Sequence, residues 1–152
     1  ARLDFSMIVE RIFDVKKCLD VLMDVDMFNS ISEDGATFDD IHVDVINNYW
    51  LSIYDNELLG VFQIKPMTSS CYEVHIHIIK HHRKKHSKES GEKIIKWCKD
   101  NLKGTLYAQT PSYCKNVIKF CESLGFLNTG FIPKAFYKNG TLNDLTILTR
   151  LI

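Results

Sequence analysis

The stretch from Cys71 to Lys99 constrains this chain more than any other. It reads Cys71-Tyr-Glu-Val-His-Ile-His-Ile-Ile79, then Lys80-His-His-Arg-Lys-Lys-His-Ser-Lys88, then Glu89-Ser-Gly-Glu-Lys-Ile-Ile-Lys-Trp-Cys-Lys99. An alternating, β-branched run passes through a cationic turn straight into an amphipathic helix. Such a join brings backbone N–H groups, the positive end of a helix and several cationic side chains to one place. That is a seat for a phosphate or pyrophosphate.

The charge pattern agrees. Residues 1–79 carry 5 Lys/Arg against 14 Asp/Glu, a balance of −9, whereas residues 80–103 carry 9 against 3 and residues 104–152 carry 5 against 2. The whole chain is neutral, so it is no polyelectrolyte for nucleic acid or membrane. Its positive charge is focused on the turn and the helix that follows, which suits an anionic ligand. With 152 residues, 45% hydrophobic and 25% charged, the chain reads as one globular domain over 1–152. Five cysteines (Cys18, Cys71, Cys98, Cys114, Cys121) are odd in number and form no CxxC pair, which points to a reducing, cytoplasmic setting. Asp4, Glu10 and Arg11 interrupt the apolar N-terminus, unlike a secretory signal. No apolar run nears the ~20 residues of a membrane span.

Read along its length, the chain predicts a strand over Phe5–Ile12, then a helix capped by Asp14 with Val15, Leu19, Leu22 and Met23. A second helix is expected over Asp26–Ser32, a turn at 33–36, and nothing definite over Asp39–Asn48. Strands follow at Tyr49–Tyr54 and at Leu58–Met67 (the latter broken by Pro66), joined by a tight Asp55-Asn56 turn. After the Cys71–Ile79 strand come a helix over Ser87–Leu102, a strand over Thr105–Gln109 and a helix starting at Pro111-Ser112 and stopped by Gly125. Leu127–Lys138 and Thr141–Leu151 close the chain as a hairpin about Asn139-Gly140. The order β-α-α-β-β-β-α-β-α-β-β implies an α/β (α+β) fold, a mixed sheet with helices on both faces.

This order and three sets of residues resemble the GNAT superfamily of acyl-CoA-dependent N-acetyltransferases. The residues are the Ile78-Ile79 strand end followed by Arg83, the helix with Ile94, Ile95 and Trp97, and Cys121-Glu-Ser-Leu-Gly-Phe126, which looks like the family's Y-E-K-L-G-F helix end. The tail Phe131–Asp144 looks like the final hairpin of members that modify protein N-termini and of phage-encoded relatives. The resemblance implies one GNAT-like domain with a mostly antiparallel sheet, splayed between its fourth and fifth strands. It also implies acetyl-CoA as co-substrate and an amine acceptor, on a protein or peptide. Coenzyme contacts would then come from Ile78, Ile79, Arg83, Lys84, Lys85, His86, Ser87, Lys88 and Asn116. In the family's Q/R-x-x-G-x-G/A loop, Arg83 matches the first position, but His86 and Lys88 stand where glycine or alanine is expected. Glycine there lets backbone approach phosphate with no Cβ in the way, so the cations have to compensate by direct contact. Cys121 replaces the family's proton-donating tyrosine, and Cys114 replaces a frequent asparagine. The leaving thiolate's proton donor is then Cys121 or the nearby Tyr113, with thiol and phenol reference pKa values of about 8.5 and about 10.

Acetyl transfer needs a base for the amine and a preorganised N–H for the thioester oxygen. Glu73, His75 and His77 share one strand face by alternation, and Glu73 or His75 is the candidate base. The amide for the oxygen is expected at the Ile78/Ile79 end of the strand. Rival readings attach to the same residues. A metal site among His75, His77, His81, His82 and His86 lacks HExxH or Cys/His spacing, and the neighbouring lysines oppose a cation. A nucleic-acid module would use the 80–88 basic stretch, and a GNAT-like fold without catalysis would serve as an interaction or virion component. A cysteine nucleophile finds no support beyond lysines and histidines near Cys71, Cys98, Cys114 and Cys121. No membrane partner is expected, and either a monomer or a homodimer is compatible with the sequence.

Overall fold

The computed structural model describes residues 7–152; Phe5, the expected start of the first strand, lies outside them. Along the chain come β1 (Ile8–Arg11), α1 (Val15–Leu22), α2 (Val25–Ile31), β2 (Tyr49–Asp55), β3 (Glu57–Thr68), β4 (Cys71–Ile78), α3 (Arg83–Asn101), β5 (Thr105–Pro111), α4 (Lys115–Ser123), β6 (Leu127–Lys138) and β7 (Thr141–Leu151). Among the described residues the strands form one seven-stranded sheet in the order β1-β2-β3-β4-β5-β7-β6. Every pairing is antiparallel except β4 with β5. That parallel pair needs a crossover, and α3 supplies it.

Side-chain alternation sends the two faces of the sheet to different helices. Leu51 and Ile53 of β2, Phe62 and Ile64 of β3, and Val74 and Ile78 of β4 join Ile94, Ile95 and Cys98 of α3 and Cys121 of α4 in the larger core. Trp50 of β2 and Val61 of β3 face the other way, onto Cys18, Val21 and Leu22 of α1 and Met27 of α2. At roughly 1.5–3 kcal/mol per large apolar side chain, the α3 side holds the sheet, and the smaller cluster seats α1 and α2.

Caps follow the expected chemistry. Asp14 accepts from the Lys17 N–H at 3.2 Å and Asp24 accepts from the Met27 N–H at 3.1 Å. Asn139 and Gly140 both have positive φ, 52° and 74°, as a type I′ hairpin turn requires.

Three boundaries differ from the sequence reading. The strand does not break at Pro66: β3 continues to Thr68 with Pro66 opposite Tyr72. Since β2 begins only at Tyr49, opposite Ile64, no neighbour on that side asks for the missing proline N–H. Pro111 ends β5 instead of opening a helix, and α4 starts only at Lys115. Most consequential, the basic stretch is not a loop. Lys80–His82 form a 3-10 turn, and α3 begins at Arg83, four residues ahead of Ser87. No glycine or proline lies between Lys80 and Ser90, and Lys, Arg and Glu propagate a helix well.

Candidate active site

β4 and β5 are hydrogen-bonded neighbours only at their first residues, Cys71–Glu73 against Thr105–Tyr107. Beyond that β4 follows β3 to Ile78, while β5 follows β7 to Pro111. The sheet therefore splays between its fourth and fifth strands. On the β3 side the Ile79 N–H donates to the Leu59 carbonyl at 2.9 Å, so that amide is committed to the sheet. Gly60 lies opposite Ile78, and alternation turns the Ile78 N–H away from β3, into the gap β5 leaves.

Glu73 sits where the splay begins, and its carboxylate is 9% exposed. The Tyr107 hydroxyl donates to its Oε2 at 2.9 Å, the Gln109 side-chain amide reaches Oε1 at 3.4 Å, and His75 Nε2 lies 2.6 Å from Oε1. Contact with His75 above all, and the Tyr107 hydrogen bond, hold the carboxyl down at about 2 despite its burial. Burial and the bond to Glu73 push the Tyr107 phenol up to about 12. A carboxylate held that low is a poor proton acceptor at neutral pH. It is well suited to orient a histidine, whose ring, 36% exposed, opens toward solvent. His77 is different. It stacks between His75 and Trp50, with centroids 6.3 and 6.4 Å away. It is 5% exposed, and burial first, then the nearby His75 and Arg83, keep it neutral down to about 3.

The start of α3 opens beside the same strand end. His82 precedes it in helical conformation and offers no side-chain cap, and the first turn holds no acidic residue. The Lys80 carbonyl takes the Arg83 N–H. Lys84 and Lys85 are exposed there, with His86 and Ser87 half-buried. Arg83 turns inward: its Nε donates to the Ile78 carbonyl at 2.9 Å and a terminal nitrogen lies 3.8 Å from the Met27 sulfur. Lys88 turns toward α4, where its ammonium donates to the Ser123 carbonyl and lies 3.7 Å from Glu92. Of the cations singled out from sequence, Lys84 and Lys85 are thus the ones on the exposed face of the first turn.

Cys121 is 2% exposed and packs in the larger core, where burial pushes its thiol up to about 11. Tyr113 stands in the turn between β5 and α4, 47% exposed, and burial, then Cys114 and Asp34, raise its phenol. Asn116 is exposed in the first turn of α4. At the β6 edge of the sheet, the β6–β7 turn is tied to the end of α2 and the residues after it. The Tyr137 N–H donates to Glu33 at 2.7 Å, the Gly140 N–H donates to Asp34 at 2.8 Å, and the Lys138 ammonium donates to the Asn29 and Ser32 carbonyls.

Tyr107 and Gln109 were not singled out from sequence. Period-two spacing within β5 puts them on one face, but only the parallel pairing with β4 brings that face to Glu73. A separate open depression of about 600 Å³ lies between α3, the end of α4 and Arg150 of β7. It contains none of these groups.

No family model and no curated protein matches the sequence. Solved structures do. Spermidine N-acetyltransferase from Vibrio cholerae, in complex with CoA and spermine, superposes with a TM-score of 0.79 at 15% identity, over 96% of this chain and 95% of that one. Ribosomal-protein-S5-alanine acetyltransferase from Vibrio fischeri superposes with a TM-score of 0.58 at 17% identity, over 69% and 62% of the two chains. The chain thus has the fold of the GNAT acetyltransferases, with the parallel, splayed β4–β5 pair in place.

Proposed function

We propose that this protein is an N-acetyltransferase that moves an acetyl group from acetyl-CoA to an amine on a protein or peptide. The observation that carries the reading is the Glu73–His75–Tyr107 cluster at the root of the β4–β5 splay, beside a helix start with neither a side-chain cap nor an acid. A diphosphate fits that start: the helix dipole favours an anion, and Lys84 and Lys85 add charge-assisted contacts. Without the family's glycines, Cβ atoms hold phosphate further from the backbone, so these two side chains carry more of the binding. Acetyl-CoA supplies the acyl group as an activated thioester.

The chain's own residues do the rest. The Ile78 N–H faces the opened gap and receives the acyl oxygen as negative charge develops there. His75, oriented by Glu73, takes the proton the attacking amine sheds. Carbon–nitrogen bond formation then breaks the carbon–sulfur bond, and the departing thiolate takes a proton. Tyr113 is the better donor: it is exposed and keeps its proton at neutral pH, whereas Cys121 is sealed in the core. The acceptor groove runs between α1–α2 and the β6–β7 hairpin. The acidity of residues 14–44 supports a cationic acceptor.

A free polyamine is the second reading, favoured by the full-length likeness to a spermidine acetyltransferase. Turnover assays over Lys-rich peptides, protein N-terminal peptides and free polyamines separate the two. Turnover on peptides with none on polyamines supports the first reading, and the reverse pattern supports the second. No turnover on any amine would contradict both. His75→Ala should lower kcat by about 100-fold, the lower end of what a positioned base contributes. Glu73→Gln should lower kcat less and shift its pH profile, with the Kd for acetyl-CoA unchanged in both.

A further inference from the structure

Five histidines fall between positions 75 and 86, and the chemistry above draws on His75 alone. Three others lie in the β4–α3 turn and the first turn of α3, with Glu57 of β3 close by. We propose that Glu57, His81 and His82 form a binding site for a borderline divalent transition-metal ion such as Zn²⁺. One potential ligand atom from each lies within 4.8 Å of the other two. His82 is the anchor. It is 6% exposed, and its buried Nε2 has no hydrogen-bond partner among the described residues; Glu57 Oε1, at 3.3 Å, is close without making a bond of good geometry. A buried imidazole nitrogen left without a bond is costly, and a metal ion would satisfy it.

The donor set selects the ion. Two imidazoles and one carboxylate suit Zn²⁺, Co²⁺ or Ni²⁺ and disfavour Mg²⁺ and Ca²⁺, which prefer all-oxygen shells. Zinc bonds of ~2.0–2.1 Å in a tetrahedron place ligand atoms about 3.3 Å apart. Glu57 and His81 therefore have to close on His82, and both are exposed and free of core packing. The His81 and His82 rings already stand 4.0 Å apart.

Nearby lysines and arginine weigh less against a cation than the sequence suggests. The Lys80 ammonium lies 3.7 Å from Asp26, and the Arg83 guanidinium is turned onto the Ile78 carbonyl. His86, its ring 5.7 Å from that of His82, is one helical turn on. Three protein ligands leave at least one coordination position for water, as in an open site. Because His82 immediately precedes α3 and Glu57 opens β3, a bound ion would tie these two elements together.

The test uses the chelator-stripped full chain and the metals alone. Co²⁺ should bind one per chain with the strong visible absorption of a four- or five-coordinate ion. Zn²⁺ should displace it, and a roughly hundredfold excess of Mg²⁺ should not. Zn²⁺ should also raise Tm in a concentration-dependent way. His82→Ala alone is ambiguous, because the residue is buried. Glu57→Gln and His81→Ala are the informative variants, since both positions are exposed. Each should weaken Zn²⁺ binding at least about tenfold, the scale found even for outer-shell partners, with the metal-free Tm unchanged. Absence of the Co²⁺ spectrum, or Zn²⁺ binding that survives the Glu57→Gln, His81→Ala double variant, would overturn the proposal. The site adjoins the α3 start to which the diphosphate is assigned, so the metals are titrated without coenzyme and acetyl-CoA is titrated into metal-free protein, which keeps the failure of one reading distinguishable from the failure of the other.

Discussion

Glu73 meets His75, Tyr107 and Gln109 at once, and that environment sets its pH behaviour. Its carboxyl titrates at about 2 in the folded chain against 4.5 ordinarily. A depressed folded value means the native state holds the ionised form more tightly than the unfolded state does. The stabilisation is therefore complete above about pH 4.5 and drains away as pH falls toward 2. Urea midpoints from pH 6 to pH 2.5 should show this loss in the wild type and a flatter acid limb in Glu73→Gln. Equal slopes would remove the cluster from the account. At the proton-donor end, Tyr113→Phe should lower kcat by roughly tenfold or more with the Kd for acetyl-CoA unchanged; an unaffected kcat returns the role to Cys121 or solvent. At this scale the sequence was partly legible. Alternation alone puts Glu73 and His75 on one face. It cannot show that Glu73 is too acidic to be a good base: the 2.6 Å contact with His75 that does most to lower it is a matter of side-chain geometry, and Tyr107, which adds to it, arrives through a pairing 34 residues distant.

Elements were legible in kind and order, less so at their ends. The start of α3 was missed because a run of Lys, Arg and His looks like a solvated loop, yet it contains nothing that stops a helix. Pro66 and Pro111 misled for the opposite reason: a proline breaks a strand only where a neighbour needs its N–H, and neighbours are a tertiary fact. Gly91, which reads only as a stray glycine in α3, is a packing requirement. A Cβ there would fall 2.6 Å from Leu124 Cδ1 and 3.1 Å from Phe120 Cζ, where α4 lies against α3. Overpacking costs about 1–3 kcal/mol and alanine's better helix propensity returns about 1 kcal/mol, so Gly91→Ala should be net destabilising by urea denaturation; a neutral or stabilising effect would mean that the Leu124 and Phe120 side chains give way freely. The hairpin turn is held to the end of α2 by hydrogen bonds from Tyr137 and Gly140 to Glu33 and Asp34. Asp34→Ala should speed amide exchange at 137–141 with little change in Tm; unchanged exchange there would show that the hairpin holds its position alone.

Across the whole molecule, the asymmetry of charge has two parts with different meanings. Many carboxylates of residues 14–44 have local work: Asp14 and Asp24 cap helices, Asp20 pairs with Lys16, Glu33 and Asp34 hold the hairpin, and Asp44 closes a turn. They still leave residues 14–44 strongly acidic, but the sequence could not separate structural acids from those facing a ligand. The described helices include none long and apolar enough to cross a membrane. The cationic start of α3, with no side-chain cap, is the feature on which the functional reading rests. Calorimetric titration of the full chain with acetyl-CoA tests it most directly, with Lys84→Ala, Lys85→Ala as the comparison. The account predicts one site per chain, a gain in stability near 2.7 kcal/mol at about a hundredfold excess over Kd, and clear weakening in the double variant. No heat of binding and no shift in unfolding at any concentration of acetyl-CoA would contradict it.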